Sequence, residues 1–276
     1  MADNRPIGVF DSGLGGLTVL KELEKALPNE SFVYFGDTGR VPYGSRSNDT
    51  IISYARQDEN FLLSKGVKYI VAACGTVSAV AADTAKELPV PFMGVVENSV
   101  KAAVAATKNK IIGVIGTSAT INNGAHKRQI LELLPGARVV TVDCPLFVPL
   151  VEEGFLADDI VVEEVARRYL KSMVDAGVDT LILGCTHYPI LFGAIKKIMG
   201  DNVTLINMGN STALAVKEEL TRLNMLSDSI AEPCKEFYVS DITAGFANVS
   251  EILLGGKIEN VNLVDISKYE GSSDRD

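Results

Sequence analysis

Residues 67–79 read VKYIVAACGTVSA, and residues 178–190 read VDTLILGCTHYPI. Each is a short apolar run that ends at a cysteine, Cys74 or Cys185, followed directly or after one glycine by a threonine. Each run also follows a helical pattern closed by a glycine, Gly66 or Gly177. A strand of this kind, apolar throughout and set between helical patterns, is expected in a parallel sheet covered on both faces.

Working outward, the same alternation fills the chain. PIGVFDSG, SFVYFGDTG and PFMGVVEN read as further strands of a first series. The segments GLTVLKELEKALP and DTIISYARQDENFLLSKG, and the residues after Cys74 as far as Pro89, read as its helices. NKIIGVIGTSAT, GARVVTVDCP and NVTLINMG continue a second series of strands around VDTLILGC. DDIVVEEVARRYLKSMVDAG, a stretch from Thr186 to Gly200, and NSTALAVKEELTRL supply its helices. KEFYVSDITAGFANVSEILLG adds a late strand and helix, and YEGSSDRD reads as a polar tail. The expected fold class is α/β, with two similar α/β lobes, mainly parallel sheets and an active site in the cleft between them. The expected boundaries place residues 1–97 and 211–276 in the first lobe and residues 98–210 in the second.

Composition narrows the function. With 276 residues, 47% of them hydrophobic and 22% charged, the chain fills a substantial core. A net charge of −9 argues against nucleic acid as a partner, because phosphate backbones call for clustered Lys and Arg. No apolar stretch reaches the length of a transmembrane helix, and MADNRPIGVF does not read as a signal peptide. A cytoplasmic protein with no membrane partner is expected, its Cys74, Cys144, Cys185 and Cys234 present as thiols. No CxxC pair occurs, and the only histidines are His126 and His187, so no metal site is expected.

Polar motifs gather where strands should end: DSG at Asp11–Gly13, GDTGRVPYGSR at Gly36–Arg46, CGT at Cys74–Thr76, GTSAT at Gly116–Thr120 and CTH at Cys185–His187. Facing lobes would bring them to one cleft. Each of the two cysteines also stands where a helix is expected to begin, which should lower its thiol pKa. Cys144 and Cys234 read as structural cysteines. The glycines Gly13, Gly15 and Gly16 resemble a phosphate-binding turn but lack its GxGxxG spacing. One thiol beside His187 would serve a hydrolase or decarboxylase. Two thiols on opposite faces of one carbon suit proton exchange, in which one removes a proton and the other delivers one.

GVFDSGLGGLTVL, FGDTGRVPYGSRS, CPLFVPLVEEG and LGCTHYP, in this order, resemble the glutamate racemases of the aspartate/glutamate racemase superfamily. The resemblance implies a cofactor-independent enzyme that interconverts L- and D-glutamate, supplies D-glutamate for peptidoglycan and forms a homodimer. It implies acid/base roles for Cys74 and Cys185, support of Cys74 by Asp11, and support of Cys185 by His187 and Glu152. Substrate contacts are implied for Asp11, Ser12, Pro42, Tyr43, Gly44, Gly75, Thr76, Thr117, Thr120, Thr186 and His187. Aspartate is the alternative substrate. One departure stands out: the family motif is CNT, and this chain has Gly75 in place of the Asn. The lost amide group is worth about 0.5–1.5 kcal/mol of hydrogen bonding.

Overall fold

The computed structural model describes residues 2–242, 246–258 and 260–270. The first half of the chain runs β1 (Ile7–Asp11), α1 (Leu17–Ala26), β2 (Phe32–Gly36), α2 (Asn48–Ser64), β3 (Tyr69–Ala72), α3 (Gly75–Val80), β4 (Phe92–Gly94) and α4 (Val95–Ala106). It continues through β5 (Ile111–Gly116), α5 (Ser118–Asn123), α6 (Ala125–Leu133), β6 (Arg138–Asp143), α7 (Phe147–Glu152) and α8 (Ile160–Asp175). The remainder is β7 (Thr180–Leu183), α9 (Phe192–Met199), β8 (Thr204–Asn207), α10 (Met208–Arg222), β9 (Lys235–Val239), α11 (Phe246–Leu254) and β10 (Val261–Leu263).

The strands form two sheets, ordered β10-β9-β2-β1-β3-β4 and β6-β5-β7-β8. Every strand pair is parallel. This is the expected α/β class with two mainly parallel sheets. The chain leaves the first sheet after β4 and returns to it at β9, with α4 and α10 as the connecting helices; Asn98 and Ser211 lie within them.

Alternation along β1 shows why both faces are covered. Ile7 and Val9 point into a core shared with α1, α4, α10 and the second sheet, while Phe10 points into a separate core under α2 with Phe35, Phe61 and Ile70. Full burial of each such side chain contributes about 1.5–3 kcal/mol. The α2 helix starts where Ser47 accepts the Thr50 N–H and stops at Gly66, whose φ of +69° suits only glycine without strain. Among the described residues no helix is long and apolar enough to cross a membrane.

Three local readings need correction. The strand read through Asn98 ends at Gly94, because Val95–Asn98 start the amphipathic α4. The helix read after Cys74 as far as Pro89 starts there but stops at Val80 and resumes as a 3-10 segment, Ala82–Glu87. The helix read from Thr186 begins instead with a turn and a 3-10 segment, Tyr188–Leu191, and becomes α-helical only at Phe192. Pro189 has no N–H to give an α-helical turn, which accounts for the delay. Helices α4 and α6 carry apolar periodicity that the reading passed over. Most of the expected polar tail lies outside the described residues.

Candidate active site

The candidate residues leave the carboxyl ends of strands in both sheets, where an open parallel sheet presents its ligand-binding loops. Asp11 is the last residue of β1. Cys74 stands two residues beyond β3, Thr117 follows β5 and Cys185 stands two residues beyond β7.

Asp11 is buried and turns the chain sharply: its Oδ2 accepts the Gly13 N–H at 3.0 Å. Its Oδ1 accepts the hydroxyl of Thr186, from the other sheet, at 3.5 Å. Burial raises the Asp11 pKa, opposed by the charge of His187 and by the N–H groups of Gly16 and Gly13. Cys74 caps α3 and donates to Ser12 Oγ at 3.5 Å. Its thiol does not follow the expectation of a lowered pKa. Burial, reinforced by the negative charge of Asp11, pushes it up to about 12. The helix of six residues behind it is too short to overcome the desolvation of a cysteine only 4% exposed.

Cys185 sits in the turn before the 3-10 segment, so it gains nothing from an α-helix N-terminus. It gains a partner instead. His187 Nδ1 lies 3.8 Å from its sulfur, and His187 Nε2 lies 3.3 Å from Glu152 Oε1. The Nε2–H is poorly aligned with that oxygen, so the second contact is an ion pair by distance and not a directed hydrogen bond. Burial by itself would lower the His187 pKa, but Cys185 and Glu152 outweigh it and raise the pKa to about 10. His187 is therefore an imidazolium at neutral pH, with its Nδ1–H toward the Cys185 sulfur.

The two cysteine loops touch. A Cβ on Gly75 would stand 2.5 Å from the carbonyl oxygen of Gly184, the residue before Cys185. Further along the same seam, a Cβ on Gly15 would stand 2.5 Å from both Thr186 Oγ1 and His187 Nδ1. Gly15 thus serves close packing between the halves. Thr76 Oγ1 meets Thr117 Oγ1 at 3.0 Å and Thr120 Oγ1 at 3.4 Å, which closes a triangle of hydroxyls across the cleft. Gly44 lies against Thr117, and Pro42 is exposed beside it. Tyr43 departs from the rest: its side chain points into the first sheet's core and hydrogen-bonds to Asp37 and Asp58, so only its backbone remains for the cleft.

Thr18 was not singled out from the sequence, yet its hydroxyl bridges Gly15 O at 2.9 Å and Thr186 O at 2.8 Å. Its helical position in α1 carried no polar signal beyond its own hydroxyl. Among the described residues no three His, Cys, Asp or Glu side chains are placed to hold a metal ion.

Comparison with known proteins extends these observations. The Asp/Glu/Hydantoin racemase family model matches residues 14–218. A glutamate racemase of Geobacter metallireducens is 44% identical over 263 residues, 95% of this chain and 97% of its own. A glutamate racemase of Caldanaerobacter subterraneus is 46% identical over 267 residues, 96% of this chain and 97% of its own. The structure of a Francisella tularensis glutamate racemase in complex with D-glutamate superposes with a TM-score of 0.91 at 40% identity, over 97% of this chain and 100% of that one. A Thermus thermophilus glutamate racemase in complex with β-chloro-D-alanine gives 0.87 at 41%, over 97% and 100%. The likeness runs the length of both sheets and through both cysteine loops, and on that ground the chain belongs to the Asp/Glu/hydantoin racemase family.

Proposed function

We propose that this protein is a glutamate racemase, an isomerase that exchanges the α-proton of glutamate between Cys74 and Cys185. The observation that carries the reading is the meeting of the two cysteine loops at Gly75 and Gly184. It sets one thiol from each sheet at a shared seam. D-Glutamate bound to the Francisella relative supports the substrate.

The two sulfurs stand in different surroundings. Burial and Asp11 hold Cys74 as a thiol, which makes it the acid in one direction, and the role of base then falls to Cys185 beside His187. The thiolate of Cys185 takes the α-proton as Cys74 delivers its own to the opposite face. Cys185 ends as a thiol and Cys74 as a thiolate, and the α-carbon ends inverted. The hydroxyls of Ser12, Thr76, Thr117, Thr120 and Thr186, with backbone N–H groups of Tyr43, Gly44 and the loops, hold the carboxylates and the charge that builds on the α-carboxylate. For the next turn in the same direction Cys185 must release the proton it took and Cys74 must regain one, a net exchange with solvent that His187 and Asp11, beside the two sulfurs, relay.

Both cysteines are buried, at 4% and 8% exposure, so access for substrate requires the two halves to part along this seam. We take residues 1–97 with 211–276, and residues 98–210, as the two moving lobes. Supply of D-glutamate to peptidoglycan, a cytoplasmic setting and a homodimer complete the proposal.

The test is the circular-dichroism decay of D-glutamate with the purified protein and no pyridoxal phosphate added. Decay to zero signal is expected; a folded protein that leaves the signal constant, while racemising aspartate, moves the substrate assignment to aspartate.

A further inference from the structure

The turn after β2 is held by buried charges that take no part in the chemistry above. Asp37 and Asp58 are both fully buried. Between them lie the guanidinium of Arg40 and the phenol of Tyr43. Arg40 Nε donates to Asp37 Oδ2 at 2.6 Å, and its Nη2 donates to Asp58 Oδ1 at 3.2 Å. Tyr43 Oη hydrogen-bonds to Asp37 Oδ2 and lies 3.1 Å from Asp58 Oδ2. Ser240, just after β9, donates to Asp37 Oδ1 at 2.7 Å. The ring of Tyr54 completes the cage, with Arg40 Cζ 3.9 Å from its centroid.

A count of protons decides the state of the cluster. The phenol has one proton, yet two carboxyl oxygens flank its oxygen. Asp37 collects donors from Arg40, Tyr43 and Ser240, whereas Asp58 receives Arg40 alone. One guanidinium does not neutralise two buried carboxylates. The remaining contact, Tyr43 to Asp58, needs a proton that Asp58 itself supplies. Burial first, and the neighbouring Asp37 second, hold the Asp58 carboxyl well above the ordinary carboxylate range. Asp58 then donates to Tyr43, Tyr43 donates to Asp37, and Asp37 balances Arg40. In a buried site such a directional chain is rigid.

The cluster clamps Arg40 and Tyr43, and so fixes the two residues between them. Val41 Cγ2 would lie 3.1 Å from a Cβ on Gly13, in the turn that follows Asp11, and Gly44 lies against Thr117 of the opposite sheet. The turn therefore spans from the Asp11 loop to the second half of the cleft.

We infer that Asp58 is a positioning residue: as a neutral acid locked to Tyr43, it presets the Val41–Gly44 turn so that the turn's backbone meets substrate already ordered. The inference rests on the glutamate racemase reading, in which that backbone touches substrate. Preorganisation of this kind acts on affinity, since no loop is ordered at the moment of binding.

The experiment compares wild type with Asp58→Ala, Asp58→Asn and Tyr43→Phe by glutamate kinetics, thermal melting and amide hydrogen exchange over residues 41–46. Asp58→Ala should raise KM by about tenfold with kcat within about threefold. Asp58→Asn, which keeps the shape and a donor toward Tyr43, should bring KM back to within about threefold of wild type. Exchange at Gly44 and Ser45 should speed up in the Ala variant and not in the Asn variant. An unchanged KM in folded Asp58→Ala, or an Asn variant as impaired as the Ala one, overturns the inference. Should Asp58→Ala fail to fold, Tyr43→Phe removes only the hydroxyl and carries the same expectation and the same refutation. A wild-type protein that does not turn over glutamate refutes the functional reading, and the exchange comparison then decides on Asp58 by itself.

Discussion

Gly75 and Gly184 are in contact across the cleft: a Cβ on the first would lie 2.5 Å from the carbonyl oxygen of the second. The obstacle is backbone, so it does not yield as a flexible side chain would.

Gly75→Ala should therefore force the cysteine loops apart. We expect kcat/KM to fall by about tenfold or more, equivalent to about 1.4 kcal/mol of transition-state stabilisation. Steady-state kinetics by circular dichroism measures the loss, and wild-type kinetics from the Ala variant would show that the loops need not touch in the reacting state.

Removing either thiol should stop racemisation. Cys74→Ala and Cys185→Ala each delete a proton donor or acceptor, and such a group contributes about a hundredfold to ten-thousandfold. Proton NMR in heavy water reads this directly, since wild type replaces the α-proton of both enantiomers with deuterium. Full exchange into both enantiomers by either variant would end the two-thiol assignment.

The His187 imidazolium should be visible in pH profiles. Its folded pKa, about 10, is above the ordinary 6.5, so the stabilisation is complete below 6.5 and is lost as pH rises through 10. The melting temperature of wild type should thus decline between these values. Glu152→Gln removes one of the two contacts that raise the pKa, so the decline should be shallower and the midpoint lower. Nitrogen-15 NMR of the ring at each pH gives the midpoint, and a value near 6.5 in wild type contradicts the assignment.

Thr18→Val should loosen the two halves without touching the sulfurs. The hydroxyl shared between Gly15 O and Thr186 O is worth about 1 kcal/mol net. A fall of about fivefold in kcat/KM is expected, with Thr18→Ser restoring it. Equal kinetics for Val and Thr at this position would show that the bridge carries no weight in catalysis.

Much of the fold is legible in local sequence signals. The strands of VKYIVAAC and VDTLILGC could be read because apolar runs and closing glycines are local signals. The placing of Cys74, Cys185, Asp11 and Thr117 at strand ends followed from them. Other features were hidden. Tyr43 reads as a plausible substrate contact, yet its hydroxyl is committed to Asp37 and Asp58. Thr18 and Gly15 look like ordinary helix and turn residues, and their role depends on Thr186, far along the chain.

The clearest division concerns the thiols. The order of residues along the chain determined that two cysteines would end buried parallel strands, because strand period and helix closure act over a few neighbours. Their acid/base character was decided only by folding. Cys74 is pushed up to about 12 by burial and by Asp11, whereas Cys185 gains an imidazolium raised to about 10 with the help of Glu152. Desolvation and charge pairing depend on distance in space, and no local pattern of residues encodes that distance.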